Sequence, residues 1–451
     1  MTDPSAITIQ RPAYRAKPAA GSTARRNSIA SILVLTATIL VGIILVKAKT
    51  ATDFFTHPVF YGYTIFITTF QLSRVGAAML YRRANARVIE PDDRRYEPTV
   101  SIVIPCKNEE GAIVRTVLQS LGAQYPKDKL EVIVINDGST DGTAHMLAEL
   151  KRVLGERDRR RLVIVHWKQN RGKRHAMAEG FRRARGEIVV QLDSDSYIIP
   201  RTFRNLIAPF QHEDIGAVCA HADPHNADHN ILTRMQAAYY FMSFRILKAA
   251  ESSLFTVLCC SGCSSAYRKN AVMPILDDWL NERFLGLPVT WGDDRALTSW
   301  VLKRNYRTVY TDRARAYTIV PERFRQLVRQ QIRWKKSWII NSLFTLRFMY
   351  RTQPFFTVTY FIPLLVITIA TPFVAVRALY FSPLAYGILP LFYFLGIILM
   401  TSLVVLYYRI LAPENRYWPY LYLWGALNTF FFSFLILYAL LRIRDRGWGT
   451  R

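Results

Sequence analysis

The spacing of apolar and polar positions changes character along the chain. Residues 28–46 are an uninterrupted apolar segment, and an aromatic-rich one covers 55–81. Each has the length that a bilayer-spanning helix needs, so 28–81 is expected to form a transmembrane hairpin. From 82 to 320 the pattern becomes short apolar runs alternating with amphipathic stretches, as in a mostly parallel sheet with crossover helices. Strands are expected at 100–104, 131–135, 162–166, 188–193 and 217–221, with helices at 111–121, 142–154 and 171–185 after the first, second and third. A further helix is expected over 233–251. Residues 321–350 predict an interfacial helix. Apolar segments at 355–376, 384–408 and 417–441 make 351–441 a C-terminal transmembrane region. Residues 1–27 and 442–451 read as basic tails, the first too polar for a cleaved leader.

Charge adds a constraint. The chain carries 59 Lys and Arg against 33 Asp and Glu, a net charge of +26, beside 51% hydrophobic residues. That combination excludes a disordered chain, and basic residues flanking apolar runs mark the cytoplasmic side of a membrane. No nucleic-acid-binding motif occurs, so the expected partner is the lipid bilayer and not nucleic acid. An odd number of spans after a cytosolic domain would leave Arg442, Arg444, Arg446 and Arg451 outside. A cytosolic tail is therefore expected, with one C-terminal segment interfacial or re-entrant, or another crossing concealed. Arg74, near the end of the second span, can snorkel or line a pore. Cys106, Cys219, Cys259, Cys260 and Cys263 lie in the central region, as expected of reduced cytosolic thiols.

Ligands of open α/β sheets collect at the carboxyl ends of the strands. There the chain places Asn136-Asp137-Gly138-Ser139 and, after the third strand, Gly172-Lys173-Arg174 at a helix start, where a diphosphate fits. The fourth strand ends in Asp193-Ser194-Asp195. Alternation along a strand sends Asp193 and Asp195 to one side as hard oxygen ligands for a divalent cation, although an isolated Asp-x-Asp is more often a turn or helix cap. Downstream, helical spacing puts Gln330, Arg333 and Trp334 on one face, with Val328, Ile332 and Ile339 as an apolar stripe to pack or meet lipid. His221, His225 and His229 recur every fourth residue, but Pro224 breaks any helix there, which argues against a metal site.

In this order and spacing, together with Gly292-Asp293-Asp294-Arg295 and Gln330-x-x-Arg333-Trp334, these motifs resemble the membrane-embedded processive family 2 glycosyltransferases, most of all the hyaluronan synthases. The segment Cys263-Ser264-Ser265-Ala266 departs from the proline-containing version of those synthases. Nodulation chitin-oligosaccharide synthases are similar over the same stretch but favour Gly-Glu-Asp at 292–294. The resemblance implies a GT-A-type nucleotide-sugar-binding α/β domain inserted between transmembrane helices of the cytoplasmic membrane and facing the cytosol. It implies Asp294 as general base, Asp195 as ligand to Mg²⁺ or Mn²⁺, and Asp137, Lys173, Asp193 and Arg333 as donor-binding residues. Gln330 and Trp334 would receive the acceptor. The implied partners are UDP-sugar donors and a growing polysaccharide, with a chitin-type synthase, a lipid-linked sugar transferase or an inactive scaffold as alternatives. Asp293, if close, would raise the proton affinity of Asp294.

Overall fold

The computed structural model describes residues 22–50, 57–89, 96–387 and 389–445. Of the expected tails, positions 1–21 and 446–451 lie outside the described residues, Arg446 and Arg451 among them.

The chain opens with helices α1 (Ser22–Lys49) and α2 (Pro58–Ala84). The central unit is then built on strands β1 (Val100–Cys106), β2 (Leu130–Asn136), β3 (Leu162–His166), β4 (Ile188–Gln191), β5 (Tyr197–Ile198), β6 (Ile215–Pro224), β7 (Ser265–Arg268) and β8 (Arg307–Thr318). They form one mixed sheet in the order β3-β2-β1-β4-β7-β6-β8-β5. Every residue of β1 and β2 is buried, as continuous β-branched runs in a sheet covered on both faces should be. β1 pairs in parallel with β2 and β4, whereas β7 runs antiparallel to β4 and β6. Helices α3 (Ile113–Leu121), α4 (Thr143–Val153) and α5 (Lys173–Arg183) follow the first, second and third strands, as their periodicity requires. Later come α6 (Ile231–Met242), α7 (Asp293–Lys303) and the long α8 (Phe324–Thr352).

The expected strand 188–193 stops early. β4 ends at Gln191, and Ser196 N–H donates to Asp193 O at 3.1 Å, closing a turn. Asp193 and Asp195 therefore sit on a turn, and strand alternation does not account for their placement. The expected helix 233–251 begins as α6 and continues through a wider turn, Ser243–Lys248, to Ser253.

Among the described residues, helical segments Ser31–Lys49, Pro354–Tyr386 (α9), Leu391–Leu411 (α10) and Tyr420–Leu441 (α11) are long and apolar enough to cross a membrane. α2 is not among them. Its C-terminal half enters the core of the sheet unit through Phe70, Val75, Ala78 and Tyr81, and Tyr81 Oη donates to Tyr310 O at 2.8 Å. Arg74 turns inward and does not snorkel: its guanidinium lies 5.2 Å from the Phe70 ring and 5.5 Å from that of Tyr360.

α11 begins and ends on the unit built around the sheet. At its start, Arg234 donates to Tyr420 Oη at 3.2 Å and Tyr239 stacks on Trp424 with ring centroids 4.3 Å apart. Past its end, Ile443 packs with Val289, Trp291 and Ile340, and Lys336 Nζ donates to Asp445 O at 3.1 Å. The start of the basic tail therefore lies on the catalytic side. The apolar stripe of α8 packs Val328 and Ile332 with Trp424, Phe432 and Leu435 of α11.

Candidate active site

Loops at the carboxyl ends of β1 to β4 interlock. Asn108 Oδ1 accepts from Thr140 N at 2.8 Å and Glu110 Oε2 from Gly142 N at 2.7 Å, which fixes the loop after β2 against the loop after β1. The Asp137 carboxylate accepts the amides of Arg171 at 2.6 Å and Gly172 at 2.9 Å, setting the start of α5. From its first turn Lys173 donates to Asp193 Oδ1 at 2.5 Å. Burial lowers the pKa of this ammonium, but Asp193, with Asp293 and Asp294 behind it, outweighs burial and holds the pKa above its ordinary value. The expected diphosphate lysine thus rests on a carboxylate of the Asp-x-Asp turn.

That turn is joined to the Asp pair. Asp193 N–H donates to Gly262 O and Gly262 N–H to Asp294 Oδ2, each at 3.1 Å. A Cβ on Gly262 would lie 2.9 Å from Gln191 Nε2 and 3.1 Å from Asp193 Oδ1, so a side chain there would press on the Gln191 amide and the Asp193 carboxylate. Asp294 Oδ1 accepts from Arg295 N at 2.9 Å, so one oxygen caps α7 while the other faces Gly262. Asp293 turns away and is bound by Arg174 Nε at 3.0 Å. Its carboxylate is paired there with a buried guanidinium.

Gly292, at φ +66°, leaves room for α8: a Cβ there would fall 1.8 Å from Ser337 Oγ. Along the same helix Gln330, Arg333 and Trp334 are half-buried. Burial lowers the Arg333 pKa, and the negative charges of Asp294, Asp293 and Asp193 oppose it. Tyr240 lies on α6, within the expected helix 233–251. Burial raises its phenol pKa, and among the lesser influences Asp195 raises and Arg333 lowers it, so this ring borders the site.

Comparison with known proteins follows from this geometry. The hyaluronan synthase of Streptococcus pyogenes serotype M1 is 34% identical over 398 residues, covering 86% of this chain and 90% of that protein. The chain belongs to glycosyl transferase family 2. The family model described as Glycosyl transferase family 2 matches residues 101–276. An N-acetylglucosaminyltransferase of Azorhizobium caulinodans is 29% identical over 80% of this chain and 90% of that protein. The mannosyltransferase of Pyrobaculum calidifontis, solved in complex with GDP-Man and Mn²⁺, superposes with a TM-score of 0.54 at 23% identity, covering 81% of this chain and 98% of that one. That likeness carries the fold. The protein is therefore a membrane glycosyltransferase with a GT-A-like domain that takes a nucleotide-sugar donor.

For a glycosyltransferase of this kind the donor set fits a divalent cation. Among the described residues no three His, Cys, Asp or Glu side chains form a metal cage. The carboxylates of Asp193 and Asp195 are hard oxygen ligands on one turn, suited to Mg²⁺ or Mn²⁺ when a diphosphate and water supply the remaining positions. The histidines are used separately. His221 bonds Tyr310 Oη at 2.7 Å and Asp223 at 3.1 Å, His225 stacks on Tyr197, and His229 lies 3.4 Å from Glu322.

Proposed function

We propose that the protein is a processive, inverting glycosyltransferase that polymerises sugars from UDP-sugar donors into a β-linked polysaccharide, in the manner of a hyaluronan synthase. It passes the chain across the cytoplasmic membrane through a path formed by its own helices, with the catalytic domain in the cytosol. The observation that carries this reading is the continuous linkage of Lys173, Asp193, Gly262 and Asp294, with the Arg333 charge influenced by the same carboxylates. It supports leaving-group neutralisation and proton removal as neighbouring functions. The return of residues 442–445 to the catalytic unit supports a cytosolic tail, with α11 lying along the interface.

Inverting transfer requires a base on the acceptor hydroxyl, an in-line approach to the anomeric carbon and relief of charge on the departing diphosphate. Asp294 takes the proton through the carboxylate that Gly262 N–H orients. Asp137 keeps lone pairs for the uracil while it holds the start of α5. Lys173 leaves Asp193 for the diphosphate when the donor enters, and Arg333 adds a second cation there. Trp334 and Gln330 seat the acceptor sugar, the indole by stacking. A divalent cation held by Asp195, with Asp193 beside it, would supply Lewis-acid neutralisation of the diphosphate.

The test is purified protein with Mg²⁺ or Mn²⁺ and single or paired UDP-sugars. UDP release with a ladder of polymer is expected. No UDP release with any donor, where a related synthase turns over, would remove the reading. Asp294→Asn is expected to lower transfer by about 10²-fold or more with donor binding kept. Wild-type rates in that variant would take the base role from Asp294. The similarity to an N-acetylglucosaminyltransferase favours a chitin-type product as the second reading, separated by which UDP-sugar is consumed. A single glycosylated lipid in place of a ladder would point to a lipid-linked transferase.

A further inference from the structure

We infer that Arg174 is a positioning residue for the transfer step: it ties the donor-side start of α5 to the loop that carries Asp294. The inference rests on the base role proposed for Asp294. The Gly-Lys-Arg sequence suggests a pair of cations for a diphosphate, yet the two side chains part company. Lys173 reaches Asp193, whereas the Arg174 side chain is 6% exposed and points the other way. Its Nε donates to Asp293 Oδ1 at 3.0 Å, and its Nη1 donates to Trp279 O at 2.9 Å and Glu282 Oε2 at 3.1 Å. The guanidinium lies 5.1 Å from the Trp279 ring centroid, and that indole in turn donates to Asp293 O at 3.2 Å.

Asp293 is therefore held through both its carboxylate and its carbonyl, one residue before the base. The same α5 turn is anchored at its other end by the Asp137 carboxylate. A buried cation facing two buried carboxylates is an expensive way to gain stability, because desolvation offsets most of the attraction. It is a precise way to fix a loop, since a planar guanidinium binds several acceptors in set directions. Arg174 touches neither reacting atom in this arrangement. It sets where Asp294 stands relative to the helix whose first residue, Lys173, meets the donor.

The experiment measures UDP release by the purified full chain in detergent, with the UDP-sugar that supports turnover, and UDP affinity by calorimetry. Arg174→Met is expected to lower kcat by about 30-fold or more while donor KM and UDP affinity stay within about 3-fold, since a displaced reacting group costs rate before it costs binding. Arg174→Lys, which keeps the charge but not the fork, is expected to recover part of kcat. If Arg174→Met does not fold, Asp293→Asn tests the same tie with Arg174 still held by Glu282 and Trp279, and a kcat loss of about 10-fold at unchanged KM is expected. Wild-type kcat in the folded variant, or kcat and UDP affinity falling together, would overturn the inference. Asp294→Asn keeps the two ideas apart. If it is inactive while Arg174→Met turns over normally, only the positioning role fails; if it is active, the base assignment fails.

Discussion

Lys173 and Asp193 are paired at 2.5 Å, an ammonium and a carboxylate each positioned by the other. Removing the ammonium has opposite effects on two ligands. Lys173→Met is expected to cut sugar transfer by about 10²-fold through lost charge relief on the diphosphate. It also frees the Asp193 carboxylate, so Mn²⁺ binding without donor, followed by electron paramagnetic resonance, is expected to tighten; weaker binding would refute the competition. Gly262 gives a second test at this scale. Gly262→Ala brings a methyl onto Gln191 and Asp193 and is expected to raise donor KM by about 10-fold, read from initial rates of UDP release. Many of these residues were legible in the sequence as types at motif positions, but not their partners. Lys173 and Arg174 are adjacent and chemically alike, and only the turn of the helix start sends one to Asp193 and the other to Asp293 and Glu282. Tyr240 was hidden for a similar reason, because it sits in a dense aromatic run, Tyr239 to Phe244, whose composition alone suggests packing.

At the level of elements, parallel strands with β-branched runs were readable because continuous burial leaves an uninterrupted apolar signature, as in β1 and β2. β8 escaped notice because its sequence, RTVYTDRARAYT, carries charge through a strand whose interior is nevertheless buried at Val309, Tyr310 and Asp312. Asp312 explains the exception: it pairs with Arg82 from the end of α2 at 2.8 Å and with Arg245 beyond α6. Burial raises its pKa, and Arg245 and Arg82 outweigh burial and leave it below the ordinary carboxylate value. A carboxylate depressed in the folded state contributes stability that is complete above its unfolded value, about 3.9, and is lost as pH falls through the folded value. Asp312→Asn strands a buried guanidinium and is expected to destabilise the protein by about 3 kcal/mol or more, lowering Tm at neutral pH. The wild-type advantage should shrink in the acid limb of a Tm–pH series. An unchanged Tm would show that α2 is held by its apolar contacts and Tyr81 alone.

On the scale of the whole molecule, hydropathy located the apolar helices but could not say which of them leave the catalytic side. An apolar helix that packs on protein and one that meets lipid have the same composition, and α11 buries Trp424, Phe432 and Leu435 against α6 and α8. The terminal Arg residues call for a tail on the side of the sheet unit, and residues 443–445 pack there on Val289, Trp291 and Lys336. Arg444→Cys tests this side directly. In inverted membrane vesicles a membrane-impermeant maleimide is expected to label it beyond the background of native thiols, and in intact cells it should not. The reverse pattern would require α11 to cross the bilayer.

The contact between Gly292 and Ser337 couples these scales. At this point the Ser337 hydroxyl of the helix that carries Trp334 lies directly against the backbone of the loop that carries Asp294. Position 337 is thus a spacer between the Asp294 loop and the Trp334 helix. On the roles proposed for those two residues, its bulk sets how far an incoming sugar hydroxyl stands from the carboxylate, and a single added methyl group at 337 is expected to change that reach.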